Sequence, residues 1–121
     1  MNSLPYILAI DFDGTLCEDK FPEIGKPNYR LISSLLEAKK DNPDLKYILW
    51  TCRDNNTEDR HLDKAVEFCR EYGLEFDAVN ENLPEVKALF GNNDTRKVFA
   101  DKYLDDKNLS IKDLMPGEGL M

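Results

Sequence analysis

The sequence predicts an α/β fold, a doubly wound and mainly parallel sheet with helices on both faces. Three observations predict it. Short apolar runs alternate with segments whose apolar residues recur at helical spacings of three and four. The apolar runs are continuous, as in strands covered on both faces. The chain has 121 residues, enough for one domain with its own core, and shows no repeat, linker or low-complexity stretch. Residues 1–121 are therefore read as one domain, with 116–121 as a loose tail.

The elements follow in order. Tyr6, Ile7, Leu8, Ala9 and Ile10 form the first strand. Gly14, Pro22, Gly25 and Pro27 make residues 14–27 a loop. From Asn28 to Lys40, Leu31, Ile32, Leu35 and Leu36 share one helical face, and Asn42-Pro43-Asp44 stops the helix. Residues 46–50 (Lys-Tyr-Ile-Leu-Trp) give a second strand. Thr57 is the expected N-cap of a helix running to Tyr72, with Glu58 and Asp59 in its first turn and Gly73 as its stop. Residues 75–79 give a short third strand, Pro84 to Phe90 a short helix, and Val98 to Leu104 a fourth strand ending in Asp105-Asp106.

Charge and cysteine usage narrow the function classes. A net charge of −8 argues against an extended nucleic-acid or anionic-membrane surface, both of which need clustered Lys and Arg. A small phosphorylated ligand stays possible, because a bound divalent cation reverses the local sign. No apolar run reaches the ~20 residues of a membrane span, and Met1 to Pro5 lacks the basic and apolar regions of a signal peptide. Cys17, Cys52 and Cys69 are odd in number and lack CxxC spacing, which predicts a reduced, cytoplasmic setting. Nothing in their spacing predicts a zinc site with His61.

In a parallel sheet, ligands bind beyond the carboxyl ends of the strands. There the sequence places Asp11 and Asp13, then Thr51, Cys52 and Arg53, then Asn80, then Asp105 and Asp106. Acids gathered on one rim repel each other unless a cation sits among them, and oxygen ligands select a hard ion, Mg²⁺ best of all. With a metal and a phosphate present, one carboxylate can attack phosphorus and a second can move protons. A hydroxyl and a lysine, Thr51 and Lys97, can hold the phosphoryl oxygens. Each residue also has a plainer reading. Asp-Gly marks ordinary turns, Asp105-Asp106 suits an Asx turn or a helix cap, Thr51 can satisfy strand-end backbone, and Lys97 can be a solvated edge lysine. Arg53 can bind a substrate phosphate or stand exposed. His61 is expected at the surface, and Phe21, Tyr29 and Trp50 are expected in core or half-buried packing rather than on a substrate platform.

In this order the residues resemble a known family. Asp11-Phe12-Asp13-Gly14-Thr15-Leu16 is similar to the first motif of the haloacid dehalogenase (HAD) superfamily of phosphohydrolases. Thr51 is similar to the second motif, Lys97 to the third and Asp105-Asp106 to the fourth; Thr95 to Asp106 also resembles 5′(3′)-deoxyribonucleotidases of that superfamily. The resemblance spans residues 6 to about 108. It implies a Rossmann-like domain and a Mg²⁺-dependent phosphatase working through an aspartyl-phosphate. Asp11 would be nucleophile and metal ligand. Asp13 would be general acid/base, with its backbone carbonyl on the metal. Thr51 and Lys97 would hold the phosphoryl group, and Asp105 or Asp106 would complete the metal site. Lys87 rivals Lys97 as the third-motif lysine.

Small-metabolite members of the superfamily usually carry a cap domain. Here Cys17 to Pro27 and Asn80 to Arg96 are too short to hold one, so a capless, open site is expected. The phosphorylated substrate could be a nucleotide, a sugar phosphate or an end-phosphorylated macromolecule, handled by a monomer or an oligomer. Two alternatives stand beside the enzyme. A receiver-like phospho-acceptor module uses similar chemistry but lacks an acid two residues after the nucleophile, so Asp13 separates the two. A non-catalytic phosphate-binding protein would not need the full set of motif residues.

Overall fold

The protein is described by a computed structural model over residues 5–91 and 98–105. Its elements are β1 (Ile7–Ile10), α1 (Tyr29–Asp41), β2 (Lys46–Leu49), α2 (His61–Glu71), β3 (Ala78–Val79), α3 (Pro84–Leu89) and β4 (Lys102–Leu104). The strands form one sheet in the order β3-β2-β1-β4, and every pairing is parallel. The fold is thus the predicted α/β, Rossmann-like architecture. Leu8, Ile10, Tyr47 and Leu49 pack with Leu31, Ile32 and Leu35 of α1 and Ala65 and Cys69 of α2 on one face. Ile7, Ala9 and Ile48 pack with Leu83 and Val86, at the start of α3 and within it, on the other. Both faces of β1 are therefore apolar, which is why its four residues read as an unbroken run. Among the described residues no helix is long and apolar enough to cross a membrane.

Where the backbone is closed by nearby groups, the predicted boundaries hold. Asn28 caps α1, its Oδ1 accepting from Leu31 N–H at 3.2 Å. Gly73, at φ +85°, closes α2: its N–H donates to the Arg70 carbonyl and Leu74 N–H to the Cys69 carbonyl. Buried Leu74 supplies the apolar contact of that motif.

Three boundaries move, each for a stated reason. Thr57 is not the cap of α2, which begins at His61 behind a left-handed Arg60 (φ 48°). The Asp54 carbonyl accepts from Leu62 N–H and Asn55 Oδ1 from Asp63 N–H, both at 3.0 Å, so the preceding loop does the capping. β3 starts at Ala78 rather than Glu75. Asp77 stands before it, its N–H donating to the Tyr47 carbonyl and its Oδ2 accepting from Tyr47 N–H, both at 2.8 Å. β4 starts at Lys102 rather than Val98 because Asp101 does the same for Ile7, donating to its carbonyl (2.8 Å) and accepting from its N–H (2.7 Å). Ahead of it, Phe99 N–H donates to Asn82 Oδ1 at 2.6 Å rather than to β1. The expected tail at 116–121 lies outside the described residues.

Burial sets the behaviour of two of the three thiols. It pushes Cys69 up to about 12, and burial followed by the Asp13 charge pushes Cys17 up to about 11. Cys52 is exposed. In native protein at pH 8, a thiol-reactive dye should therefore label Cys52 quickly and the other two only on unfolding. Raised thiol pKa values favour the folded state while both states are protonated. That contribution should fade as pH climbs from the ordinary thiol value of 9.0 toward about 12. Fast labelling of all three thiols in folded protein would contradict this packing.

Candidate active site

The site begins with a turn. Gly14, at φ +84°, reverses the chain after Asp13, and the Phe12 carbonyl accepts from both Thr15 N–H (3.1 Å) and Leu16 N–H (2.9 Å). Phe12 and Leu16 are fully buried and anchor the turn in the core. Asn28 fastens it to α1, with Nδ2 donating to the Thr15 carbonyl at 3.0 Å and its own N–H to the Leu16 carbonyl at 2.8 Å. The residue that caps α1 thus also holds the Asp13-Gly14-Thr15 turn in place.

Strand register then gathers the rim. Ile10 pairs with Leu49 on one side and Leu104 on the other, so Asp11, Trp50 and Asp105 follow in line at adjacent strand ends. The line is held by Asp11 N–H to the Leu104 carbonyl (3.0 Å) and Trp50 N–H to the Ile10 carbonyl (2.9 Å). A cleft of about 600 Å³ opens there. Asp11, Thr51, Cys52 and Asp105 line it, along with Trp50 and Tyr103. β1 and β4 flank the place where the strand order turns from 3-2-1 to 4, which is the crevice where sheets of this topology bind ligands.

Thr51 lies between this cleft and the neighbouring loops. Its N–H donates to Asn80 Oδ1 at 2.8 Å, and its Oγ1 accepts from Arg53 N–H at 3.2 Å. The plain strand-end role is therefore filled, and the hydroxyl proton remains available to a ligand. Asn80, left-handed at φ 54°, braces this turn, with its N–H on the Leu49 carbonyl at 2.7 Å.

Asp13 does not line the cleft. Its two carboxylate oxygens accept from Arg53, Oδ2 from Nε and Oδ1 from the second terminal nitrogen, each at 2.8 Å. Arg53 is only 2% exposed. Two further donors reach the carbonyls of Pro22 (3.2 Å) and Glu23 (2.9 Å), and its guanidinium carbon lies 5.0 Å from the Phe12 ring and 4.9 Å from the Phe21 ring. The residue read as a phosphate ligand is engaged by Asp13 and by the loop. The signal for this pairing was the register itself. Asp13 and Arg53 sit three and four residues beyond the paired Ile10 and Leu49, so they lie at neighbouring strand ends.

The loop folds back on itself. Cys17 bridges Pro27, and Glu18 N–H donates to the Lys26 carbonyl at 2.9 Å. This brings Phe21 over Arg53 and within 5.1 Å of the His61 ring. Phe21 is 54% exposed and Tyr29 62%, against the expectation of packing for both: each has ring contacts, Phe21 with Arg53 and His61 and Tyr29 with Tyr72, but stays open to solvent. Trp50 is half-buried as expected, while His61, expected at the surface, is half-buried against Phe21.

Among the described residues, no three His, Cys, Asp or Glu side chains form a group that could hold a metal. Mg²⁺ does not require such a group, since it keeps several waters and binds through one or two carboxylates. Asp11 and Asp105, two half-buried carboxylates at neighbouring strand ends beside a hydroxyl, fit that requirement. Lys97 and Asp106 lie outside the described residues. The rival Lys87 is in α3 and pairs with Glu81.

No protein-family model and no curated protein matches the chain. A solved structure of a conserved protein coded by a locus of Bacteroides thetaiotaomicron is similar to it. The two share 33% identity over 96% of this chain and 85% of that one, with a TM-score of 0.70.

Proposed function

The chain belongs to the family of that conserved Bacteroides thetaiotaomicron protein, and for it we propose a Mg²⁺-dependent phosphomonoester hydrolase of the capless HAD type. The observation that carries this reading is the meeting of Asp11, Thr51 and Asp105 in one cleft at the turn of the strand order. Asp11 attacks phosphorus as the bond from phosphorus to the ester oxygen breaks, and the Asp13 carboxyl gives its proton to that oxygen. The Asp13 carboxylate then takes a proton from water as the water oxygen attacks phosphorus. The bond to Asp11 breaks, returning its carboxylate and inorganic phosphate. Thr51 donates its hydroxyl to a phosphoryl oxygen, and Lys97 is the lysine proposed beside it.

Asp11 and Asp105, with the Asp13 backbone carbonyl, would hold Mg²⁺; Asp106 is the alternative to Asp105. When bound, the ion supplies positive charge beside the phosphoryl oxygens. Three free cysteines support a reduced, cytoplasmic setting. The substrate is a small phosphate monoester or an exposed terminal phosphate.

The test is phosphate release from para-nitrophenyl phosphate. Turnover is expected with Mg²⁺ and should vanish with chelator and return on adding the ion. A stable phosphoprotein without turnover would replace the enzyme reading with the receiver-like one.

A further inference from the structure

We propose that Arg53 is the positioning residue for Asp13 and ties the acid/base to the loop at residues 20–24; this rests on the phosphatase reading above. A phosphate ligand needs donors turned toward the ligand. Four of the five Arg53 N–H donors are engaged, two by Asp13 and one each by the carbonyls of Pro22 and Glu23, inside a wall formed by Phe12 and Phe21.

The geometry suits orientation. Two parallel bonds from a planar fork fix both the position and the plane of a carboxylate, which one bond cannot do. To move a proton at the cleft, which it does not line here, Asp13 turns one oxygen away from Arg53 while the other keeps its bond, so the fork limits the motion to a turn about one fixed contact. The same guanidinium holds two consecutive loop carbonyls, so loop and acid/base share one anchor. That anchor rests on the rim through Arg53 N–H on Thr51 Oγ1.

The experiment compares wild type with Arg53→Met and Arg53→Lys, using para-nitrophenyl phosphate, whose leaving group needs little protonation, and glycerol phosphate, whose leaving group needs it. Thermal melts confirm that each variant is folded. For Arg53→Met, kcat/KM on the alkyl ester should fall on the order of 10²-fold more than on the aryl ester. Inhibition by inorganic phosphate should change by less than about twofold. Arg53→Lys, lacking the fork, should not restore the alkyl activity, and methylguanidinium added to Arg53→Ala should restore part of it. Weaker phosphate inhibition with the alkyl-to-aryl ratio unchanged would overturn the proposal and make Arg53 a phosphate ligand. An equal loss on both esters would also overturn it, since that is what general loosening of the fold produces.

A second measurement separates this idea from the phosphatase reading. Lys20 is exposed in the anchored loop and is followed by Phe21, so the Lys20–Phe21 bond is open to trypsin, whereas Lys26 precedes Pro27 and is not cut. Trypsin should cut after Lys20 faster in Arg53→Met, but not in Asp11→Asn. If wild type hydrolyses no ester yet the loop loosens in this way, the function reading fails and the anchoring stands. If cleavage does not change, the anchoring fails.

Discussion

Asp11→Asn should lower phosphate release by on the order of 10³-fold or more while leaving the circular dichroism spectrum and melting temperature of the folded protein in place. The expectation follows from position and chemistry together. Asp11 comes directly after β1 and its backbone is pinned to β4 through Leu104, so an amide can occupy the same place. An amide is a far weaker nucleophile at phosphorus and a weaker ligand for a hard cation. Asp13→Asn should behave differently. It keeps the nucleophile but removes the group that activates water, so phosphorylated protein should build up and appear by mass spectrometry after an acid quench. If Asp11→Asn turns over at the wild-type rate, Asp11 is not the nucleophile. If Asp13→Asn leaves turnover unchanged, Asp13 is not the acid/base.

The second large effect is on stability. Phe12 is fully buried between the two proposed catalytic acids, meets Phe68 edge-on at a centroid distance of 5.7 Å, and lies against Arg53. Phe12→Ala should destabilise by about 3–5 kcal/mol, a loss of transfer free energy plus a cavity the core cannot fully close. For a domain of this size the melting temperature should drop by about 10–20 °C. Such a loss is a large share of the ~5–15 kcal/mol that holds a typical domain together. Phe12→Leu, closer in volume, should cost about 1–2 kcal/mol. A melt of Phe12→Ala within a few degrees of wild type would mean that the motif's middle residue is not packed as described. The residue between the acids thus anchors the turn that presents Asp13.

Sequence reasoning reached β1, α1 and β2 nearly residue by residue, because their signals are local: continuous apolar runs, the Asn28 cap and the stop at Asn42. It reached the rim residues Asp11, Thr51 and Asp105 by one topological rule, and the strand register brings those three together. It missed what depends on contacts distant in sequence. The groups that start α2 come from Asp54 and Asn55 rather than from Thr57. The starts of β3 and β4 are set by aspartate side chains reaching to neighbouring strands. The partner of Asp13 is 40 residues away, and no local pattern distinguishes an arginine that will be buried there from one that will be exposed.

Asp77 and Asp101 also bear on how the sheet ends. Among the described residues β3 and β4 are its two outer strands, only two and three residues long, and each is preceded by a carboxylate that takes a backbone N–H from its inner neighbour. An outer strand that is long, flat and uncharged offers a template on which another molecule can add a strand and begin to aggregate. Short outer strands whose leading carboxylate is bonded back to the inner neighbour, with Asp77 also paired to Lys39 at 3.0 Å, offer little such template. Two aspartates thus close the sheet margins by bonding inward, at the ends of the strands opposite the chemistry proposed.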